Sequence, residues 1–199
     1  MSSRVYYSIL MALLVLMAGC GETANHNMVG NANNANSMGA VSNVNQNTGT
    51  TSPAVSGAER EFMMKAAQGG LAEVEFGQLA SQRAANPAVK QFGQRMVNDH
   101  SKANDQLKQL ALRKGVLIPA ELDSEHKELM DKLAKLNGAA FDREYMKNMV
   151  EDHEKDVKEF QEQAEGAADP DLKAFASNTL PTLEQHLQMA RDTAKKVSM

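Results

Sequence analysis

Five histidines occur in the 199 residues, and three of them stand at matching places in a helical pattern. His100 closes Met96-Val97-Asn98-Asp99-His100, and His153 closes the closely similar Met149-Val150-Glu151-Asp152-His153. His186 lies three residues after Leu183 and four before Ala190. Imidazole titrates near neutrality and is the commonest protein ligand of transition metals. Glu73 and Glu75 add carboxylates near the middle of an earlier helix. Three imidazoles and a carboxylate in one layer would suit a single zinc, copper, iron or manganese ion. The same residues could instead hydrogen-bond one another as a buried polar layer that fixes helix register. Asp99 and Asp152 are offset by about 100° from the histidines beside them, because sequence neighbours do not share a helix face. They can support imidazoles on adjacent helices or face solvent.

Other chemistries lack their signatures. Di-iron bundles use Glu-x-x-His, since positions i and i+3 point the same way. The residues three before His100, His153 and His186 are Val97, Val150 and Leu183. No nucleophile–base pair, phosphate loop or CxxC cluster is present, so no catalytic residue is assigned and the reading leans away from an enzyme. Glu125-His126 falls on a connecting segment and is expected at the surface.

From residue 58 onward the pattern is helical, without sustained strand alternation. Asn86-Pro87 and Asp169-Pro170 each place a capping side chain before a proline at the first helical position. Gly115, Gly138 and Gly166 read as helix ends. Four long helices follow, at about 58–84, 87–113, 139–165 and 170–197, with a shorter one starting near Ser124. The apolar stripes agree: Val89, Phe92, Met96, Leu107 and Leu110 on the second, and Tyr145, Met149, Val157 and Phe160 on the third. Phe175, Leu183 and Ala190 mark the fourth. These are bundle seams, and the histidines fall on them. Pro181 lies inside the fourth helix, where it removes a backbone bond and crowds the carbonyl of Ser177, predicting a bend.

Short turns join the first helix to the second and the third to the fourth, so each pair is an antiparallel hairpin. The second-to-third connection has about 25 residues, far more than an up-down bundle uses. It can run back the roughly 40 Å length of a helix. The expected fold is therefore all-α: a ferritin-like four-helix bundle with a long crossover carrying a short helix.

At this point the chain resembles a bacterial envelope family, the domain of unknown function 4142, which is grouped with ferritin-like folds. The residues that carry the likeness begin with Phe62, Ala66-Ala67-Gln68-Gly69-Gly70 and Ala72-Glu73-Val74-Glu75. They continue with Asn86-Pro87, the two histidine pentapeptides, Phe141-Asp142, Leu180-Pro181 and His186-Leu187. The likeness spans nearly all of residues 58–197. It implies the bundle fold and a place in the cell envelope; the family has no agreed activity.

The N-terminal segment reads as an export signal over residues 1–19. Arg4 precedes an apolar stretch from Ser8 to Met17 and the small residues Ala18-Gly19. The stretch is short for a membrane span. Met17-Ala18-Gly19-Cys20 resembles the lipobox of bacterial lipoproteins, with Met17 where leucine is usual. The resemblance implies acylation of Cys20, the only cysteine, and a membrane partner through that anchor. Gly21 in place of Asp resembles the outer-membrane sorting pattern and points to its periplasmic face. Residues 20–57, rich in Asn, Ala, Ser and Gly, read as a disordered tether with an r.m.s. span of about 35 Å. The remainder, 58–199, is the helical domain.

A net charge of −4 and the absence of Trp argue against nucleic acid as a partner. Protein partners are left unassigned. Two function classes stand open: a non-enzymatic envelope binding protein with a metal or small ligand in its His/Glu layer, and a structural or interaction bundle in which that layer serves packing.

Overall fold

The computed structural model describes residues 54–198. The export signal, Cys20 and the tether up to residue 53 lie outside the described residues. Five helices are present: α1 Gly57–Arg83, α2 Pro87–Lys114, α3 Ser124–Ala134, α4 Gly138–Gly166 and α5 Pro170–Val197. No strand occurs among the described residues. None of these helices is long and apolar enough to cross a membrane.

Local chemistry sets the ends. Ser56 accepts from the Glu59 amide while the Glu59 carboxylate accepts from the Ser56 amide, a capping box that starts α1. Asn86 and Asp169 cap α2 and α5 as their Asn-Pro and Asp-Pro pairs predict. Gly115 closes α2 with φ +64°, a left-handed conformation that favours glycine. Val55 is buried in the core, so the last residues of the expected tether belong to the bundle. Gly138 does not end the crossover helix. It opens α4 with φ +60°, turning the chain between the two helices, and α3 stops at Ala134.

The two hairpins are α1–α2 and α4–α5, and buried polar contacts orient them. At one end of the bundle, Asp142 near the start of α4 accepts from the Ala85 and Asn86 amides in the α1–α2 turn. At the other, Glu59 at the start of α1 accepts from the Ala168 and Asp169 amides in the α4–α5 turn. Lys114 at the end of α2 donates to Asp169. Helices α2 and α4 therefore run the same way, and the segment carrying α3 is the crossover. Within the first hairpin α1 and α2 nearly touch at Gly77 and Gly93. A Cβ on Gly77 would fall 2.5 Å from the Gly93 carbonyl oxygen. Neither position has room for a side chain.

The apolar core divides in two. One cluster contains Phe76, Phe92, Met96, Phe141, Tyr145 and Met149; the other contains Phe62, Met63, Leu107, Phe160, Leu172 and Leu183. His100, His153 and His186 lie in sequence between the members of the two clusters on their own helices, Glu73 lies at the edge of the first cluster on α1, and all four are buried.

Candidate metal centre

Each long helix contributes one residue to this layer. Glu73 comes from α1, His100 from α2, His153 from α4 and His186 from α5. Positions 96 and 100, or 149 and 153, are one turn apart, so the stripe that buries the methionines buries the imidazoles as well. The three rings meet with centroids 5.7 Å apart for His100–His153, 5.3 Å for His100–His186 and 5.4 Å for His153–His186. One ligand nitrogen from each ring lies within 4.8 Å of the other two.

The hydrogen bonds decide which nitrogens are free. His100 Nδ1 is 2.8 Å from Glu73 Oε2. His153 Nδ1 is 2.9 Å from the Met149 carbonyl oxygen, one turn back on its own helix. His186 Nε2 is 2.8 Å from Asp99 Oδ2 on α2. Carboxylate and carbonyl oxygens only accept, so each of these ring nitrogens carries the proton. The opposite nitrogens, His100 Nε2, His153 Nε2 and His186 Nδ1, are buried and have no hydrogen-bond partner in the protein. Carboxylate or carbonyl behind each imidazole, lone pair in front, is the arrangement that orients histidines on metals.

Electrostatics favours a neutral His186 ring and charged Glu73 and Asp99 carboxylates. Burial lowers the His186 pKa and the neighbouring His100 and His153 lower it further; the hydrogen bond to Asp99 opposes them, and the balance falls at about 4. Burial would raise the Glu73 carboxyl, but the imidazoles around it outweigh that and hold it down at about 2. Asp99 is likewise held below its usual range: burial raises it, and hydrogen bonds from His186 and Arg95 prevail.

Of the residues singled out from the sequence, His100, His153 and His186 come together. Glu73 joins them in a different role. It stands behind His100 and His153, its Oε1 3.3 Å from His153 Nδ1, and is not one of the three converging ligand donors. Glu75 is half-buried and takes no part in the ion pairs of the layer. Only one of two carboxylates spaced two apart can face the seam, since the second is rotated by about 200°. Asp99 does support an imidazole on an adjacent helix. Asp152 makes no such contact; it pairs with Lys155 at 3.6 Å on the wall of an outer groove. Glu125 is exposed as expected, whereas His126 is half-buried, with its ring 6.3 Å from that of Phe76.

Two residues that the sequence did not assign to the site belong here. Asp156 follows His153 by three positions and lines a void of about 20 Å³ together with Glu73 and His100. Its pKa stands well above the ordinary value through burial and through Glu73, Asp152 and Glu159 nearby. The i, i+3 spacing was a signal that could have found it. Tyr145, two turns before His153, is fully buried with its hydroxyl unpaired; burial and the Glu73 charge raise its pKa. The void beside His100 is large enough for about one water and far too small for an organic substrate.

Comparisons with known proteins agree with the architecture. The crystal structure of a DUF305 fragment from Deinococcus radiodurans superposes with a TM-score of 0.63 at 14% identity, covering 72% of this chain and 99% of that one. At this identity the likeness shows the fold alone. No curated protein matches the chain. The family model for a domain of unknown function, DUF4142, matches residues 44–193, and the chain belongs to that family.

Proposed function

We propose that this protein is an envelope-anchored metal-binding bundle that holds one divalent transition-metal ion on His100, His153 and His186. The observation that carries the reading is the set of three unpaired imidazole nitrogens, each on a ring whose other nitrogen is held by an oxygen acceptor. A buried nitrogen without a partner costs stability, commonly about 1–3 kcal/mol. Three at one place are accounted for by a ligand that uses all three. Tetrahedral zinc at about 2.0–2.1 Å from nitrogen implies donor spacings of about 3.4 Å, a modest contraction from the spacing present. The small void beside His100 has room for about one water. With no room for a substrate, the site favours holding an ion over turning one over.

Inductively coupled plasma analysis and calorimetry of the purified chain with zinc, copper, iron and manganese test this. One ion per chain is expected, with a melting temperature that rises with ion concentration. His100→Gln with His153→Gln should abolish both effects. If no ion binds above background and this double variant folds and complements normally, the layer serves packing instead.

The envelope anchor rests on the lipobox-like Met17-Ala18-Gly19-Cys20 and the polar segment that follows it. Cys20→Ser is expected to lose labelling by a fatty-acid analogue and to release the protein from the membrane fraction. Undiminished labelling of that variant would remove the anchor from the proposal.

A further inference from the structure

The histidine layer is buried, so an ion needs a way in. A groove of about 380 Å³ opens beside it, between α1, α3 and α4. Six carboxylates line it: Glu73, Asp123, Glu125, Asp152, Asp156 and Glu159. Its cations are Lys65, which pairs with Glu61 at 2.9 Å, and Lys155, which pairs with Asp152. His126 also faces it and is tied to Asp123 at 2.9 Å. Two of the six carboxylates, Glu73 and Asp156, also line the small void against His100. Glu73 thus belongs to the groove, the void and the imidazole layer at once. Its side chain is 4% exposed, and its Oε1 has no hydrogen-bond partner.

The groove differs from the histidine site in one decisive respect. Among the described residues, the three histidines are the set of three whose ligand atoms all lie within 4.8 Å of one another. The groove carboxylates are spread too widely to strip an ion of its water. They can concentrate hydrated cations through their field, which a cleft of one sign with low-dielectric walls focuses. The other polar approach to the layer, past Asp99, is flanked by the Arg95 guanidinium, which pairs with Asp99 and repels cations.

From these observations we infer that the α1–α3–α4 groove is the entry path of the metal site: Glu125, Asp152 and Glu159 gather hydrated divalent cations at its mouth, and the ions pass Asp156 at the throat into the layer, while Glu73 stays behind the imidazoles and adds its charge to the field. This rests on the metal-binding reading above. It makes α3, on the crossover, one wall of the path and gives that helix a purpose beyond spanning the bundle.

Stopped-flow loading of the purified metal-free chain with Co²⁺, followed by visible absorbance, tests the inference. The wild type is expected to load quickly at low ionic strength and more slowly as salt screens the groove. Replacing the mouth carboxylates together, Glu125→Gln, Asp152→Asn and Glu159→Gln, should slow loading by about 5- to 10-fold at low salt, a modest share of what steering can supply. The endpoint should stay at one Co²⁺ per chain. The equally charged control Asp105→Asn, Glu162→Gln and Glu184→Gln, whose residues are exposed and outside the groove, should change the rate by less than about twofold. Asp156→Leu, which puts an apolar side chain at the throat, should slow both loading and removal by a chelator. If the mouth and control variants load equally fast, or Asp156→Leu exchanges metal like the wild type, the groove is not the path, while the histidine site stands. Failure of the wild type to take up Co²⁺ at all would overturn the site and the path together.

Discussion

Buried polar groups at the ends of this bundle and those at its middle are treated in opposite ways. At one end the Glu59 carboxylate accepts from three backbone amides, those of Ser56, Ala168 and Asp169, and Lys114 neutralises Asp169. At the other, Asp142 accepts from two amides with its two oxygens. Each of these groups is saturated by partners from a distant part of the chain. The middle layer is saturated only on its outer side. Glu73 Oε1, His100 Nε2, His153 Nε2, His186 Nδ1 and the Tyr145 hydroxyl are left without partners, and these are the buried side-chain atoms so left among the described residues. A fold that pairs its structural charges this thoroughly has the means to pair its histidines too. Polar groups at the ends are satisfied within the chain; those of the middle layer are left unfinished, as the proposed ligand site requires.

The contrast can be broken most forcefully at the ends. Glu59→Ala deletes three charge-assisted hydrogen bonds and the capping box, and should cost about 3–4 kcal/mol by urea denaturation. A loss under about 1 kcal/mol would mean that saturation there has little structural value.

The middle layer should respond to acid before it responds to mutation. In the metal-free protein the His186 pKa lies near 4, below the ordinary 6.5. The unfolded chain therefore binds the proton first, and stability falls as acid is added. The contribution is present in full above about pH 6.5 and is lost progressively down to about pH 4, amounting to about 3 kcal/mol. Glu73, held at about 2 against 4.5, extends the decline in the same direction at lower pH. Urea midpoints of the metal-free chain across this range measure the slope. His186→Leu should flatten it between pH 6.5 and 4, and an unchanged slope would assign the titration elsewhere. At neutral pH the same variant should have the smallest effect, within about 1 kcal/mol of wild type. Asp99 keeps Arg95 as a partner, and an orphan nitrogen is replaced by an apolar side chain of similar bulk. A loss of 3 kcal/mol or more there would show that the layer is structural after all.

Much of this was legible in the sequence, for identifiable reasons. Prolines at the first position and a glycine after α2 pin the helix ends, so the position of each histidine along its helix follows from counting. The repeat around His100 and His153 put both on seams without reference to any contact. The long connection before α4 announced the crossover. Glu73 and Glu75 were inseparable because α1 is sparse in large apolar residues around them, with Gly69, Gly70, Ala72 and Gly77 nearby. A stripe of small residues gives little phase information. Asp156 stands three residues after His153, whereas the di-iron pattern puts its carboxylate three residues before the histidine, so that pattern does not reach it. The ties of Glu59, Asp142 and Lys114 join positions between 55 and 110 residues apart and leave no local trace. Which face of each ring would be free was equally invisible, since it depends on whether a carbonyl, a glutamate or an aspartate stands behind the imidazole.

The layer takes His100 and Glu73 from the first hairpin and His153 and His186 from the second. Neither half of the polypeptide carries the full set of donors. The donor set comes into being only when the two hairpins dock, and the chain between His100 and His153 includes the whole crossover. An ion seated on all three nitrogens closes that stretch into a loop, as a covalent cross-link would, and removes some of the freedom the unfolded chain would otherwise regain. In the proposed metal-bound form the ion would tie the first hairpin to the second, so occupancy would report that the two have docked.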